Sequence, residues 1–146
     1  AMKLIRLVTE GDTDDPNHYK VYENFFVYSD LYDKALVVKT QTDAMCYGVF
    51  RGTQFFNPLD HYQNLIPLTS AVPNSDCVVR QGFQQAYFSS YVDQFRFGLD
   101  TCVQSCPGGC PVILTGHGQG GAIAVVASID LRAYNPTVSS EEDTVI

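Results

Sequence analysis

The residue types from which chemistry could arise are concentrated in one stretch, Cys110 to Gly121, reading Cys-Pro-Val-Ile-Leu-Thr-Gly-His-Gly-Gln-Gly-Gly. An apolar run, Val112, Ile113 and Leu114, leads into glycines at 116, 118, 120 and 121, and an Ala/Val/Ile run opens at Ala122. This pattern predicts a strand, a sharp turn and a buried helix, in that order. The first amides of such a helix, on Gln119, Gly120 and Gly121, have no intrahelical partner, and the positive end of the helix faces the same way. The chemistry expected there is electrostatic, the holding of an anion or a carbonyl oxygen.

Other reactive side chains are few. The histidines are His18, His61 and His117, and His61 reads as a solvated loop residue. Five cysteines, at 46, 77, 102, 106 and 110, leave at least one thiol unpaired within the chain. The cluster Cys102, Cys106 and Cys110 offers three zinc ligands with no histidine in the run, whereas Pro107-Gly108-Gly109 suits a tight covalent corner. No metal and no cofactor are expected.

The elements that must position the turn are readable at coarse grain. Asp15-Pro16 is a helix-start signal, and Val21, Tyr22, Phe25, Phe26, Ser29 and Tyr32 recur at helical spacing, which predicts a helix over 16–33. Ala35 to Thr40 and Ala44 to Phe50 read as two strands joined by a polar turn at Gln41-Thr42-Asp43, hence a hairpin. Arg51 to Asp76, interrupted by Pro58, Pro67 and Pro73, reads as a long irregular segment. A short strand is expected from Cys77 to Arg80. Phe83, Tyr87, Tyr91, Phe95, Leu99 and Val103 recur every fourth residue and predict one long helix from Gly82 to near Cys106. A buried helix follows from Gln119 to about Ala133, ended by Tyr134-Asn135-Pro136, and Thr144-Val145-Ile146 reads as the opening of a strand.

With 146 residues, 45% of them hydrophobic, one domain over 1–146 is expected, burying about two thirds of its unfolded surface. A formal charge of -7 with nine Lys and Arg argues against a nucleic-acid partner. No apolar run reaches the length of a membrane span. The opening residues, Ala1 to Val8, do not read as a signal peptide, and Ala1 ahead of Met2 reads as a residue left by cloning.

Three blocks in order, Phe50-Arg51-Gly52-Thr53, then Val78-Val79-Arg80-Gln81-Gly82-Phe83, then Thr115-Gly116-His117 with Gly120-Gly121, resemble the class 3 (fungal-type) lipases over roughly Leu36 to Ile146. The resemblance implies an α/β class: a partial, truncated α/β-hydrolase fold with a central, mostly parallel sheet and flanking helices. In that superfamily the turn is the nucleophile elbow G-x-S-x-G. Here Gly118 stands at the serine position between Gly116 and Gly120. The resemblance also implies that Thr53 and Gln119 form the oxyanion hole, and that His117 is a structural, hydrogen-bonding residue. It places a lid over Gln54 to Leu59, with Phe55, Phe56 and Leu59 as its apolar residues. It further makes disulfides and a secreted or extracytoplasmic location plausible. The family's acid and base follow the nucleophile in chain order. Residues 119–146 hold no histidine, and a single βαβ unit already takes about 30 residues.

Three readings therefore stay open. One is a non-catalytic lipase-like domain that binds an acyl, ester or lipid ligand, or a protein partner, at the old site. Another is the front part of an active triacylglycerol lipase or carboxylic ester hydrolase, altered at Gly118 and cut short. The third is a cysteine-stapled structural protein. Missing later strands would leave a sheet edge uncovered, so a homo-oligomer is expected, with Thr144-Val145-Ile146 reaching into a neighbour.

Overall fold

The computed structural model describes residues 25–31, 35–40, 42, 44–51, 68–89, 92–134 and 144–145. The strands are β1 (Phe25–Asp30), β2 (Ala35–Thr40), β3 (Cys46–Phe50), β4 (Thr69–Ala71), β5 (Val78–Arg80), β6 (Val112–Gly116) and β7 (Thr144–Val145). The helices are α1 (Gln81–Phe88), α2 (Val92–Gln104) and α3 (Gln119–Tyr134). Five strands form the main sheet in the order β1-β2-β3-β6-β7, and β4 and β5 form a separate hairpin.

The sheet has two halves. β1, β2 and β3 run antiparallel, with Ala35 opposite Phe50 and Lys39 opposite Cys46 across β2 and β3. β3, β6 and β7 run parallel, with Cys46 beside Val112 and Phe50 beside Gly116. The first four residues of β2, Ala35 to Val38, are all buried, as a strand covered on both faces requires. α2 lays Phe95, Gly98, Leu99 and Cys102, a one-sided helical stripe, against β1, β2 and β3. Gly98 permits the approach, since a β-carbon there would stand 2.6 Å from Ser29 Cβ. α3 packs on β6 and β3, and α1 packs on α3.

Four expectations need correction. Residues 25–30, expected as the end of a helix over 16–33, are strand β1; residues 16–24 lie outside those described. Phe25-Phe26-Val27-Tyr28 is an aromatic and β-branched run that suits a pleated surface, and pairing with β2 fixes it as a strand despite its helical spacing. The single helix from 82 to 106 is two, α1 and α2. Ser89 caps α1, its N–H donating to the Gln85 carbonyl at 2.9 Å. Serine side chains compete for backbone hydrogen bonds and so favour helix ends, a signal that apolar periodicity does not register.

The segment expected to be irregular up to Asp76 contains β4, which pairs with β5 through a turn holding Asn74 at φ 59°. Its Thr-Ser-Ala sequence has no apolar alternation to announce it. Lastly, Thr144 and Val145, expected to reach into a neighbour, pair with Ile113 and Leu114 of their own chain. β6, α3 and β7 are thereby a βαβ unit, the parallel crossover that the sequence foreshadowed.

The cysteine pairings are Cys46–Cys102, which ties β3 to α2, and Cys106–Cys110, which closes the corner between α2 and β6; Cys77 is free and exposed. All three cysteines of the 102–110 run are oxidised, so none is available as a thiolate ligand. Among the described residues, no helix is long and apolar enough to cross a membrane.

A polar knot joins the three helices. Asp130 of α3, 2% exposed, accepts hydrogen bonds from the Tyr87 hydroxyl of α1 at 2.8 Å and from Arg96 Nε of α2 at 3.0 Å. A terminal Arg96 nitrogen pairs with the other carboxylate oxygen, and the guanidinium lies over the Tyr134 ring, 4.4 Å from its centroid. The hydrogen bond to Asp130 holds the Arg96 pKa above its ordinary value. A buried carboxylate is tolerated only when paired and hydrogen-bonded in this way.

Candidate active site

β6 ends at Gly116 and α3 begins at Gln119, so the whole turn is two residues, His117 and Gly118. Gly118 has φ +58°, the left-handed conformation that L side chains rarely adopt. A β-carbon at this position would meet nothing within 4 Å. Room for a side chain therefore exists at the apex, and only the backbone conformation opposes one.

The flanking glycines are needed for a different reason. A β-carbon on Gly116 would stand 2.3 Å from the carbonyl of Gly120, and one on Gly120 would stand 2.3 Å from the Phe50 oxygen and 2.5 Å from that of Arg51. These approaches press the first turn of α3 onto the end of β3. The backbone at Phe50 and Arg51 is thus fixed beside the glycine turn. Thr53 itself lies outside the described residues, as do the candidate lid residues Phe55, Phe56 and Leu59, and His18 and His61.

The expected row of open amides is shorter than the sequence suggested. The Gly120 N–H donates to the His117 carbonyl at 3.0 Å, and the Gly121 N–H donates to the Gly118 carbonyl at 3.0 Å. The tight glycine turn lets the chain fold back on itself and close these bonds within the turn. His117 is exposed, and its carbonyl is what ties it into the turn. Gln119 is buried at 7% exposure, and Thr115, near the end of β6, is fully buried.

Sequence reasoning missed the layer beneath the turn. Phe50 packs against Phe95 and Tyr87, with ring centroids 4.8 and 6.2 Å apart, and Tyr87 is the residue held by Asp130. The polar knot therefore braces the aromatic group on which the end of β3 rests. Asp130, the lone carboxylate of α3, was the available signal.

A parallel βαβ unit with a left-handed glycine apex between two close-packed glycines places the chain among the α/β-hydrolases. The sequence profile of the class 3 lipases matches residues 47–146, and the chain belongs to that family. Solved structures agree on the fold. Lipase II from Rhizopus niveus is 24% identical with a TM-score of 0.69, the match covering 95% of this chain and 53% of that one. A triacylglycerol lipase whose catalytic centre is formed by a serine protease triad is 26% identical with a TM-score of 0.69, over 94% and 53%. A Rhizomucor miehei lipase in complex with its propeptide is 24% identical with a TM-score of 0.68, over 90% and 42%. The chain thus spans about half the length of the solved lipases it matches. No curated protein matches the sequence.

Proposed function

We propose that this chain is a lipase-type α/β-hydrolase domain that binds an acyl or ester ligand beside the glycine turn without hydrolysing it. The observation that carries the reading is Gly118: the apex of the turn has the backbone conformation of an elbow and no hydroxyl. Within these 146 residues no histidine follows it to serve as base. Loss of a triad nucleophile lowers the rate on the order of a million-fold, and what an oxyanion site alone contributes is about a thousand- to ten-thousand-fold over water. The ligand class comes from the family, and the binding groups from Gln119 and, by resemblance, Thr53.

The test has two parts. Purified protein is expected to give no turnover of a chromogenic short-chain ester above the buffer blank, and no covalent labelling by a fluorophosphonate probe. A fluorescent fatty-acyl ester is expected to bind saturably, and competition by an unlabelled alkyl ester would place it. Turnover that survives further purification would overturn the reading.

A second reading is favoured by the half-length match to the solved lipases: the chain is the front part of a longer hydrolase. The parent reading frame decides it. A transcript that continues through an acid and a histidine, with serine at this position, supports the longer enzyme. Self-association belongs to the first reading as well, because β7 is an edge strand of the described sheet and, among the described residues, pairs with two residues of β6. Light scattering over a wide concentration range is expected to show a dimer or larger species.

A further inference from the structure

We propose that Cys106–Cys110 is a thiol-exchange site, at which a low-molecular-weight thiol attacks Cys106 and Cys110 leaves as a thiolate stabilised by Ser105 and Lys39. The two disulfides differ first in access. Cys46 and Cys102 are both fully buried, whereas Cys106 is half-buried at the surface corner and its partner Cys110 is 6% exposed. Cys106 is the more exposed half of this disulfide, so an incoming thiolate is expected to attack its sulfur, with the inner sulfur as the leaving group.

The surroundings of that inner sulfur suit a leaving thiolate. Lys39 Nζ donates to Ser105 Oγ at 2.7 Å, and Ser105 Oγ lies 3.8 Å from Cys110 Sγ. The hydroxyl hydrogen is directed to the Cys102 carbonyl at 2.6 Å in the oxidised protein, and one rotation about the side chain turns it toward the sulfur. The ammonium is held over the Phe26 and Tyr28 rings, 5.5 and 6.0 Å from their centroids. Among the described residues, the titratable and charged groups at this corner are Lys39 from β2 and, beside it, the Tyr28 phenol from β1. α2 presents the Ser105 hydroxyl and the Cys102 carbonyl, the latter 3.4 Å from Cys110 Sγ, and β3 presents the half-cystine Cys46. The carbonyl favours a protonated thiol and the lysine-serine relay a thiolate. The relay carries a full positive charge, and a nearby cation is what lowers a cysteine pKa.

The exchange balances in two steps. The thiolate of the small molecule forms a sulfur–sulfur bond to Cys106 as the Cys106–Cys110 bond breaks, and its electron pair stays on Cys110. A second small thiol then attacks the mixed disulfide, releases Cys106 as a thiolate and leaves with the first as an oxidised dimer. Two electrons pass from the small thiols to the protein.

The experiment uses the Cys77→Ser protein, so that the free exposed thiol is silent, and reduced glutathione as probe under argon. Adducts and iodoacetamide-alkylated thiols are located by fragmentation mass spectrometry. The glutathione adduct is expected on Cys106, at concentrations that leave Cys46–Cys102 intact. Alkylation of the released Cys110 is expected to have its pH midpoint at least about one unit below the ordinary thiol value of about 8.5. Lys39→Met and Ser105→Ala are each expected to raise that midpoint by at least about half a unit, and Lys39→Arg to keep it low. An adduct on Cys110, opening of Cys46–Cys102 at equal or lower glutathione, or a midpoint near the ordinary value that neither variant moves would overturn the proposal.

Discussion

Gly120 approaches Phe50 so closely that a single added β-carbon would stand 2.3 Å from the Phe50 carbonyl oxygen. The contact joins the first turn of α3 to the end of β3 and so sets the spacing between the two backbone segments that border the turn. Because the backbone fixes where a β-carbon lies and its neighbour is a backbone carbonyl, no rotamer change can relieve such a clash.

Substitutions along the turn should therefore rank by mechanism. Gly120→Ala and Gly116→Ala each force backbone apart and are expected to lose at least about 3 kcal/mol of stability in urea unfolding. Gly118→Ala and Gly118→Ser meet no neighbour and are expected to lose only about 1 to 2 kcal/mol, the left-handed penalty alone. The serine variant is also expected to show no ester turnover above the blank, since a hydroxyl without a base is a weak nucleophile at neutral pH.

The helical knot gives a second stability ranking. Arg96→Leu leaves the Asp130 carboxylate buried with one neutral donor, and a loss of about 2 to 4 kcal/mol is expected. Tyr87→Phe removes one hydrogen bond and leaves the ion pair, for about 1 to 2 kcal/mol. The two groups share Asp130, so the double variant is expected to depart from additivity in a thermal-unfolding cycle.

The disulfides should contribute unequally to stability. Cys46–Cys102 spans a sequence separation of 56 and Cys106–Cys110 one of 4. In the chain-entropy picture these correspond to about 4 and about 2 kcal/mol. Urea titrations of the paired alanine variants Cys46→Ala/Cys102→Ala and Cys106→Ala/Cys110→Ala are expected to show that order.

Asp100 supplies a pH dependence of defined sign. Burial raises its pKa above the ordinary 3.8, with Arg96 opposing the rise. A raised folded-state value means that the folded protein binds the proton more tightly than the unfolded one. The stability tied to that proton is present in full below about pH 3.8 and is lost as pH rises through the folded-state value. Asp100→Asn is accordingly expected to raise the melting temperature at pH 7 and to leave it unchanged at pH 3, as measured by calorimetry.

What the sequence determined alone lies where neighbouring residues constrain one another. Val112 to Gly116, the apex at Gly118 and the helix to Tyr134 are one contiguous stretch, in which glycine spacing and an apolar run dictate the backbone. The β2–β3 hairpin was legible for the same reason, and so was the absent nucleophile. The tertiary structure decided whatever depends on a distant partner. Phe25 to Asp30 became a strand because β2 lies beside it, and Thr69 to Ala71 because β5 does. Cys46 chose Cys102 across 56 residues, and Asp130 found Tyr87 and Arg96 on two other helices. The amides of Gly120 and Gly121 closed onto the turn itself. Local propensity limits what each segment can do, and burial against a particular partner selects among those options, because most of the stabilisation of a short element comes from packing.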